Sequence, residues 1–392
     1  CIRDRLNVEH QVAGADYLNY SLINANEKFD QVHIIAQGDN TADDEDTIFA
    51  MGIEHDLLNE LRLETGRGKD IVVGSQFDDV IDSGQGDDTV TGGRGVDSFI
   101  DAAGYDTLVE ERDANFTVSD TRLTILDKGE TEAEVESLDS LFEAIDFTGG
   151  ESVNTFTLTN WSRDGVLDGA TGNDTYIVNL TQAAEGANFI NIQDSGGAVG
   201  KDSLQYFGSD VEDLIQLDTV YKNADDPERE FKQDRWLEYG EYGPRHDGAI
   251  GGDGLLIAHF GAALAGYTEK DIDDTEALFE VGVSSLLSST NFQVLNYSTV
   301  EDVTVYGGQG DDVFVSDDTE ATLNIYGEGG DDQFYVGSIL EVEDVFVEGQ
   351  EITVATEITR GTSFEMNIFG GEGDEYFEVS HNQAEINLYG DT

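Results

Sequence analysis

Cysteine, proline and positive charge are nearly missing from this chain. Of its 392 residues one is cysteine, Cys1, and two are proline, Pro227 and Pro244. A single cysteine excludes an internal disulfide framework. So little proline beside 45 glycines is unusual for a loop-rich protein. It fits a repeated turn that uses positive backbone dihedrals and keeps N–H groups free to pair. Lysine and arginine number 19 against 84 acidic residues, a net charge of −65. Phosphate binding needs the opposite sign, so nucleic acid is excluded as a partner. No run approaches eighteen apolar residues, so no transmembrane segment is expected.

Catalytic patterns are missing too. There is no HExxH, and the six histidines (His10, His33, His55, His246, His259, His381) never pair at i, i+4 to make a zinc site. No GxSxG elbow occurs, and no GK[ST] follows a glycine turn. Trp161 and Trp236 read as core residues before they read as a sugar platform. Paired acids such as Asp78–Asp79, Asp87–Asp88 and Asp311–Asp312 suggest a ligand with a solvated neighbour more than acid–base catalysis. We therefore expect no enzyme activity within this chain. Hydrophobic residues at 38% and aromatics at 9% nevertheless exclude a disordered acidic tail.

What is abundant is order of a particular period. From Thr65 to Val109 five consecutive nonapeptides fall into register: TGRGKDIVV, GSQFDDVID, SGQGDDTVT, GGRGVDSFI and DAAGYDTLV. The sixth place is always aspartate (Asp70, Asp79, Asp88, Asp97, Asp106). The eighth is always a large apolar residue (Val72, Ile81, Val90, Phe99, Leu108). Gly66 and Gly68, Gly84 and Gly86, Gly93 and Gly95, and Gly104 occupy the second or fourth place. Such glycines permit a tight turn that exposes carbonyl oxygens. The aspartate adds a hard carboxylate, and a short strand with its middle residue inward follows. A cation taking six to eight oxygens at roughly 2.3–2.6 Å is calcium. Without it, carboxylates about 5 Å apart repel by roughly 3 kcal/mol at an effective dielectric near 20.

These blocks resemble the RTX (haemolysin-type calcium-binding) nonapeptide G-G-x-G-x-D-x-U-x, which Gly92–Ile100 matches at every place. The resemblance implies an all-β fold, a right-handed parallel β-roll or β-helix solenoid with two nonapeptides per coil. Loops n and n+2 would then stack on one edge and share an ion, with Asp70, Asp88 and Asp106 on one edge and Asp79 and Asp97 on the other. Phe77 replaces a fourth-place glycine, and Ser75 and Ala102 replace second-place glycines, which weakens the second and fifth blocks. Even about ten calcium ions at typical coordination would leave the chain strongly negative. Most acids must then lie on a solvated surface suited to salty, calcium-rich water.

Along the chain, residues 1–64 read as lead-in coils of the solenoid, because Leu58–Asp70 aligns without a gap to Val300–Asp312; a short helix over 54–62 is the alternative. Residues 65–109 are the calcium roll and 110–217 degenerate coils. Within the latter, residues 110–146 hold a two-stranded excursion followed by a helical turn or lateral strand. GATGNDTYI then restores the repeat with Gly172 and Asp174, while Asn154 stands where an aspartate would be. Residues 218–292, with both prolines, read as an insertion or side-packed subdomain. It includes the apolar run Gly254–Gly266 and the ambiguous Thr275–Leu287. Residues 293–392 return to coils of about twenty residues, each leaning on its neighbour. There Asp312 (with Gly308 and Gly310), Asp332 (with Gly330) and Glu375 (with Gly373) are candidate ligands, and Tyr306, Tyr326, Phe369 and Tyr389 form an aromatic ladder. Val342–Gly349 reads as a copy of the strand before Gly307 that has lost its calcium loop.

The absence of an initial methionine marks a processed product or a piece of something longer; Cys1 as a lipidated first residue is one form of the former. Residues 148–392 are similar to the strand repeats of very large secreted or surface bacterial proteins. The leading expectation is a non-catalytic, calcium-stabilised extracellular rod (stalk, surface layer or adhesin shaft) that folds on calcium after secretion. Its alternatives are the carboxy-terminal RTX region of a secreted hydrolase, lyase or epimerase, and a glycan- or cell-binding module built on 218–292. Calcium is the expected cofactor. Copies of the chain itself, neighbouring repeats, glycans or another cell surface are the expected partners.

Overall fold

The computed structural model describes residues 5–10, 16–19, 31–36, 45–51, 61–139, 141–179, 186–196, 200–218, 254–260, 291–316, 321–337, 339–347, 350–358 and 361–390. Among them there is no helix; every regular element is a strand. The chain divides into two compact units, residues 1–150 with 164–166, and residues 151–163 with 167–392.

In the first unit consecutive strands alternate between two sheets, so each pairs in parallel with the next but one. In one sheet Arg5–His10, Gln31–Ala36, Leu61–Arg67, Asp79–Gln85 and Ser98–Ala103 pair in that order. In the other, Asp16–Asn19, Asp46–Phe49, Ile71–Val73, Thr89–Thr91, Thr107–Glu111 and Ala144–Thr148 do. Alternation in sequence explains this: the period of two sends Leu61, Leu63, Val72, Ile81, Val90 and Leu108 inward, all buried. Phe99, the fifth eighth-place residue, is only half-buried and meets Phe142 edge-on at 5.2 Å.

The excursion after Glu110 joins the sheet. Ala114–Ser119 and Arg122–Asp127 form an antiparallel pair. Glu134–Ser137 is a strand, not a helical turn; it pairs antiparallel with Arg122–Ile125 and touches the parallel sheet at Ser137–Ser98. The helix alternative for 54–62 fails where it is described, since Leu61 and Arg62 lie in a strand. Residues 52–60 lie outside the described residues, as do Cys1, Pro227, Pro244, Trp236 and Thr275–Leu287.

In the second unit Thr155–Leu158, Thr175–Asn179, Ser203–Phe207, Asp302–Gln309, Thr322–Gly329, Met366–Glu372 and Ile386–Tyr389 pair in parallel. Within 218–292, Gly254–Phe260 is a strand of the opposite sheet, antiparallel to both Asp213–Asp218 and Asn291–Ser298. The remainder of 219–290 lies outside the described residues. The described part of the Val342–Gly349 copy, residues 342–347, forms no coil. Ile339–Val347 and Gln350–Ile358 pair with each other as an antiparallel hairpin, while Leu323 pairs directly with Met366 across it. Local pairing of two nine-residue strands closes a shorter loop than a full coil requires.

Candidate metal centre

The turns that end each strand are built around glycine. Gly66, Gly68, Gly84, Gly86, Gly93 and Gly95 all have positive φ, as do Gly308, Gly310, Gly330 and Gly373. Space is equally restrictive. A Cβ on Gly92 would stand 2.5 Å from Asp97 Oδ2, and one on Gly307 would stand 2.5 Å from Asp312 Oδ2. The second- and fourth-place carbonyls lie directly against the next coil: those of Gly66, Gly68 and Gly86 face Gly84, Gly86 and Gly104. Gly172 has its own aspartate, Asp174 Oδ1, 2.8 Å from where a Cβ would be. In these glycine turns carboxylate and carbonyl oxygens therefore line the loop with no side chain between them.

The aspartates form columns. Asp70 Oδ1 accepts the Asp46 N–H at 2.8 Å, Asp88 Oδ1 accepts that of Asp70 at 2.9 Å, and Asp106 Oδ1 accepts that of Asp88 at 2.8 Å. Glu143 Oε2 accepts the Asp106 N–H at 3.0 Å and ends the series. On the other edge Asp97 Oδ1 accepts the Asp79 N–H at 2.9 Å. The structure thus brings Asp70, Asp88 and Asp106 to one edge and Asp79 and Asp97 to the other, eighteen residues per coil. In the second unit Asp174 accepts from Asn154, Asp202 from Asp174 and Glu301 from Asp202. Asp312 accepts from Asp213 and Asp332 from Asp312. Glu375 lies against Gly370 in the equivalent turn and is electrostatically coupled to Asp332.

One oxygen of Asp97, of Asp312 and of Asp332 is thus engaged by backbone; the other shows what is missing. Oδ2 of Asp97, Asp312 and Asp332 is buried without a hydrogen-bond partner, as is Glu375 Oε1. Desolvation dominates their protonation. Burial pushes Asp97 and Asp312 up to about 8, despite the N–H each accepts, and Asp332 to about 6. Buried acceptor-only groups at this density cost free energy unless a cation meets them. A hard, oxygen-seeking cation fits this donor set.

Two turns differ in a shared way. In GSQFDD, Ser75 donates its N–H to Asp79 Oδ2 at 2.5 Å and its hydroxyl to Oδ1 at 2.9 Å. In GSDVED, Ser209 does the same to Asp213 at 2.6 and 2.8 Å. A serine replacing second-place glycine thus meets both oxygens of its own aspartate, at the first described aspartate of each of these two columns.

Several members went unrecognised in sequence: Asp46, Asp194, Asp202, Asp213, Glu143 and Glu301. Most had a signal, an acid two residues before an inward apolar residue, as in DSL at Asp202, EAI at Glu143 and EDV at Glu301. Asp213 also shares the GSxxxD spacing of Asp79. Asp194 had none. It comes from a different strand to meet Asp174 and Asp202, the ligand oxygens of the three buried residues lying within 4.8 Å of one another. Tyr176 donates its hydroxyl to Asp194 at 2.9 Å. The acids beside the ligands are not merely solvated. Asp78, Asp87, Asp311 and Asp331 each accept an N–H from the next coil (Val96, Tyr105, Asp331, Asp374), making an outer ladder parallel to the inner one.

A family model of the RTX calcium-binding nonapeptide repeat matches in four copies, over residues 64–99, 300–318 and 324–338. The chain therefore carries RTX repeats, and calcium is the cation they bind. No curated protein and no solved structure matches the chain.

Proposed function

We propose that this chain is a calcium-stiffened, non-catalytic solenoid section of an extracellular protein, serving as a stalk, surface layer or adhesin shaft. The observation that carries this reading is the stacked carboxylate columns, in which a second oxygen of Asp97, Asp312 and Asp332 is buried without a hydrogen-bond partner. Asp97, Asp312 and Asp332 each bind the coil before through one oxygen and present the other, with the turn carbonyls, as a ligand. Calcium supplies the positive charge and the demand for six to eight oxygens that such a turn satisfies. Asp97 and Asp312 then lose the protons that burial holds on them, and neighbouring coils are drawn together. Before export, at low cytosolic calcium, carboxylate repulsion keeps the coils open. Outside, modules of this kind bind with dissociation constants on the order of 10⁻⁴–10⁻³ M, so ambient calcium closes them.

The test is circular dichroism of the full chain at pH 7.5, before and after removal of calcium. Strand signal should fall on removal and return when calcium is restored. An unchanged spectrum would sink the reading.

A further inference from the structure

The second edge of the first unit stops supplying nonapeptides after Asp97, and something else stands there. Glu134–Ser137, the antiparallel strand of the excursion, is joined to that edge through the pairing of Ser137 with Ser98. It carries Glu136, 1% exposed, with both carboxylate oxygens buried and unpartnered. The Ser137–Ser98 pairing sets Glu136 beside Asp97 in register, and the charges that act on it most strongly are those of Asp97 and Glu110. Those two converge on Gly92. Asp97 Oδ2, also unpartnered, packs against it, and Glu110 Oε1 accepts its N–H at 3.1 Å.

Among the described residues, the cation that acts on this group, Arg112, is already engaged elsewhere. Arg112 draws on Glu110 and Glu136 at a distance, but its guanidinium is held by Asp127 at 3.3 Å, Glu134 at 2.5 Å and the Gly93 carbonyl at 3.0 Å. Three buried carboxylates with one diverted arginine are far from balanced. Burial accordingly pushes Glu110 up to about 7 and Glu136 to about 9.

We propose that Asp97, Glu110 and Glu136 form a further calcium site, which closes the interrupted edge with two glutamates in place of the missing nonapeptide aspartate. Neither glutamate lies in the stretches matched by the repeat family. The site rests on the calcium reading of the repeats, but it also assigns a purpose to the excursion: residues 114–137 return a ligand to the edge they interrupt.

The experiment counts bound calcium by native mass spectrometry on the full chain, comparing wild type with Glu136→Gln, Glu110→Gln and the double variant. Free calcium is held at about 10⁻⁴ M, the tight end for extracellular modules. Each single variant should carry one ion fewer, and the double variant also one fewer, because the ligands share a site. Without calcium, Glu136→Gln should melt above wild type once the pH passes about 9, where the buried wild-type carboxyl ionises. Unchanged counts in both single variants, or two ions lost in the double, would overturn the site while leaving the repeats' calcium binding intact. A wild type that binds no calcium would overturn both. Should a variant fail to fold, an anomalous-scattering map of the calcium-loaded wild type decides: a peak among the three carboxylates supports the site, and none refutes it.

Discussion

Residues 61–111 and 302–390 use the same turn on different interiors. In the first region the lateral strands Ile71–Val73 and Thr89–Thr91 are three residues long, and their inward residues are Val72 and Val90. In the second, the corresponding strands Val313–Ser316 and Gln333–Val336 are four residues long and carry aromatic residues inward. There Phe314, Phe334 and Phe377 stack inside at 5.0 Å spacings. Phe207, Tyr306, Tyr326, Phe369 and Tyr389 stack along the outer face at 4.5–5.1 Å. Each ring pair adds about 0.5–1.5 kcal/mol beyond its buried area. Asn387 donates to Asn367 and Asn367 to Asn324, both at 3.0 Å, in a ladder beside the outer rings. The lesson is a division of labour. The first region depends on its turns, and so on calcium, while the second also holds through stacked side chains.

The comparison breaks most visibly on removing calcium. Amide exchange over 61–111 should accelerate at least a hundredfold, since each ion at about a hundred times its dissociation constant contributes about 2.7 kcal/mol. Amides of 302–336 should keep most of their protection. Equal loss in both regions would erase the distinction.

A core change should do the reverse. Phe334→Ala empties the middle of the inner stack and should cost about 3–5 kcal/mol. In calcium, denaturant melts should show that loss in the second region, with exchange over 61–111 unaltered.

Single turns come next. Asp88→Asn removes one carboxylate from the middle of its column and should cost about 2.7 kcal/mol, the linkage of one ion. Asp312→Asn should cost the same in calcium but leave Phe314 and Phe334 stacked. Exchange would then spread through the whole of 61–111 in the first variant and stay near the mutated turn in the second.

Protons sharpen the comparison least. Folded Asp79 at about 7 and Asp97 and Asp312 at about 8 keep protons that an unfolded aspartate loses near 3.8. The calcium-free fold is therefore favoured below about pH 4, and that stability is lost as pH rises through 7 to 8. Protein dialysed free of calcium should melt at a higher temperature at pH 5 than at pH 8. With calcium bound the order should flatten or reverse, because ligands must be deprotonated.

Much of this was legible in sequence because the signal is local. A nine-residue period fixes turn, ligand and inward residue together, and the outer ladder of Tyr306, Tyr326, Phe369 and Tyr389 followed from spacing; the alternation of edges was what the resemblance to the RTX nonapeptide implied. What escaped depended on pairing between distant segments. Glu136 and Asp194 reach their columns from strands with no repeat character. Phe207 extends the ladder from ninety-nine residues before Tyr306 because Ser203–Phe207 pairs with Asp302–Tyr306. The hairpin 339–358 looked like a coil because VEDVFV repeats VEDVTV, yet local closure decided its partner.

The most direct test of the central claim is a calcium-loaded crystal structure with anomalous data, which locates ions against the aspartate columns. The account predicts peaks between successive turns at Asp70, Asp88 and Asp106, at Asp97, and at Asp312 and Asp332. An ordered solenoid with those turns intact and no peak beside any of these carboxylates would contradict it.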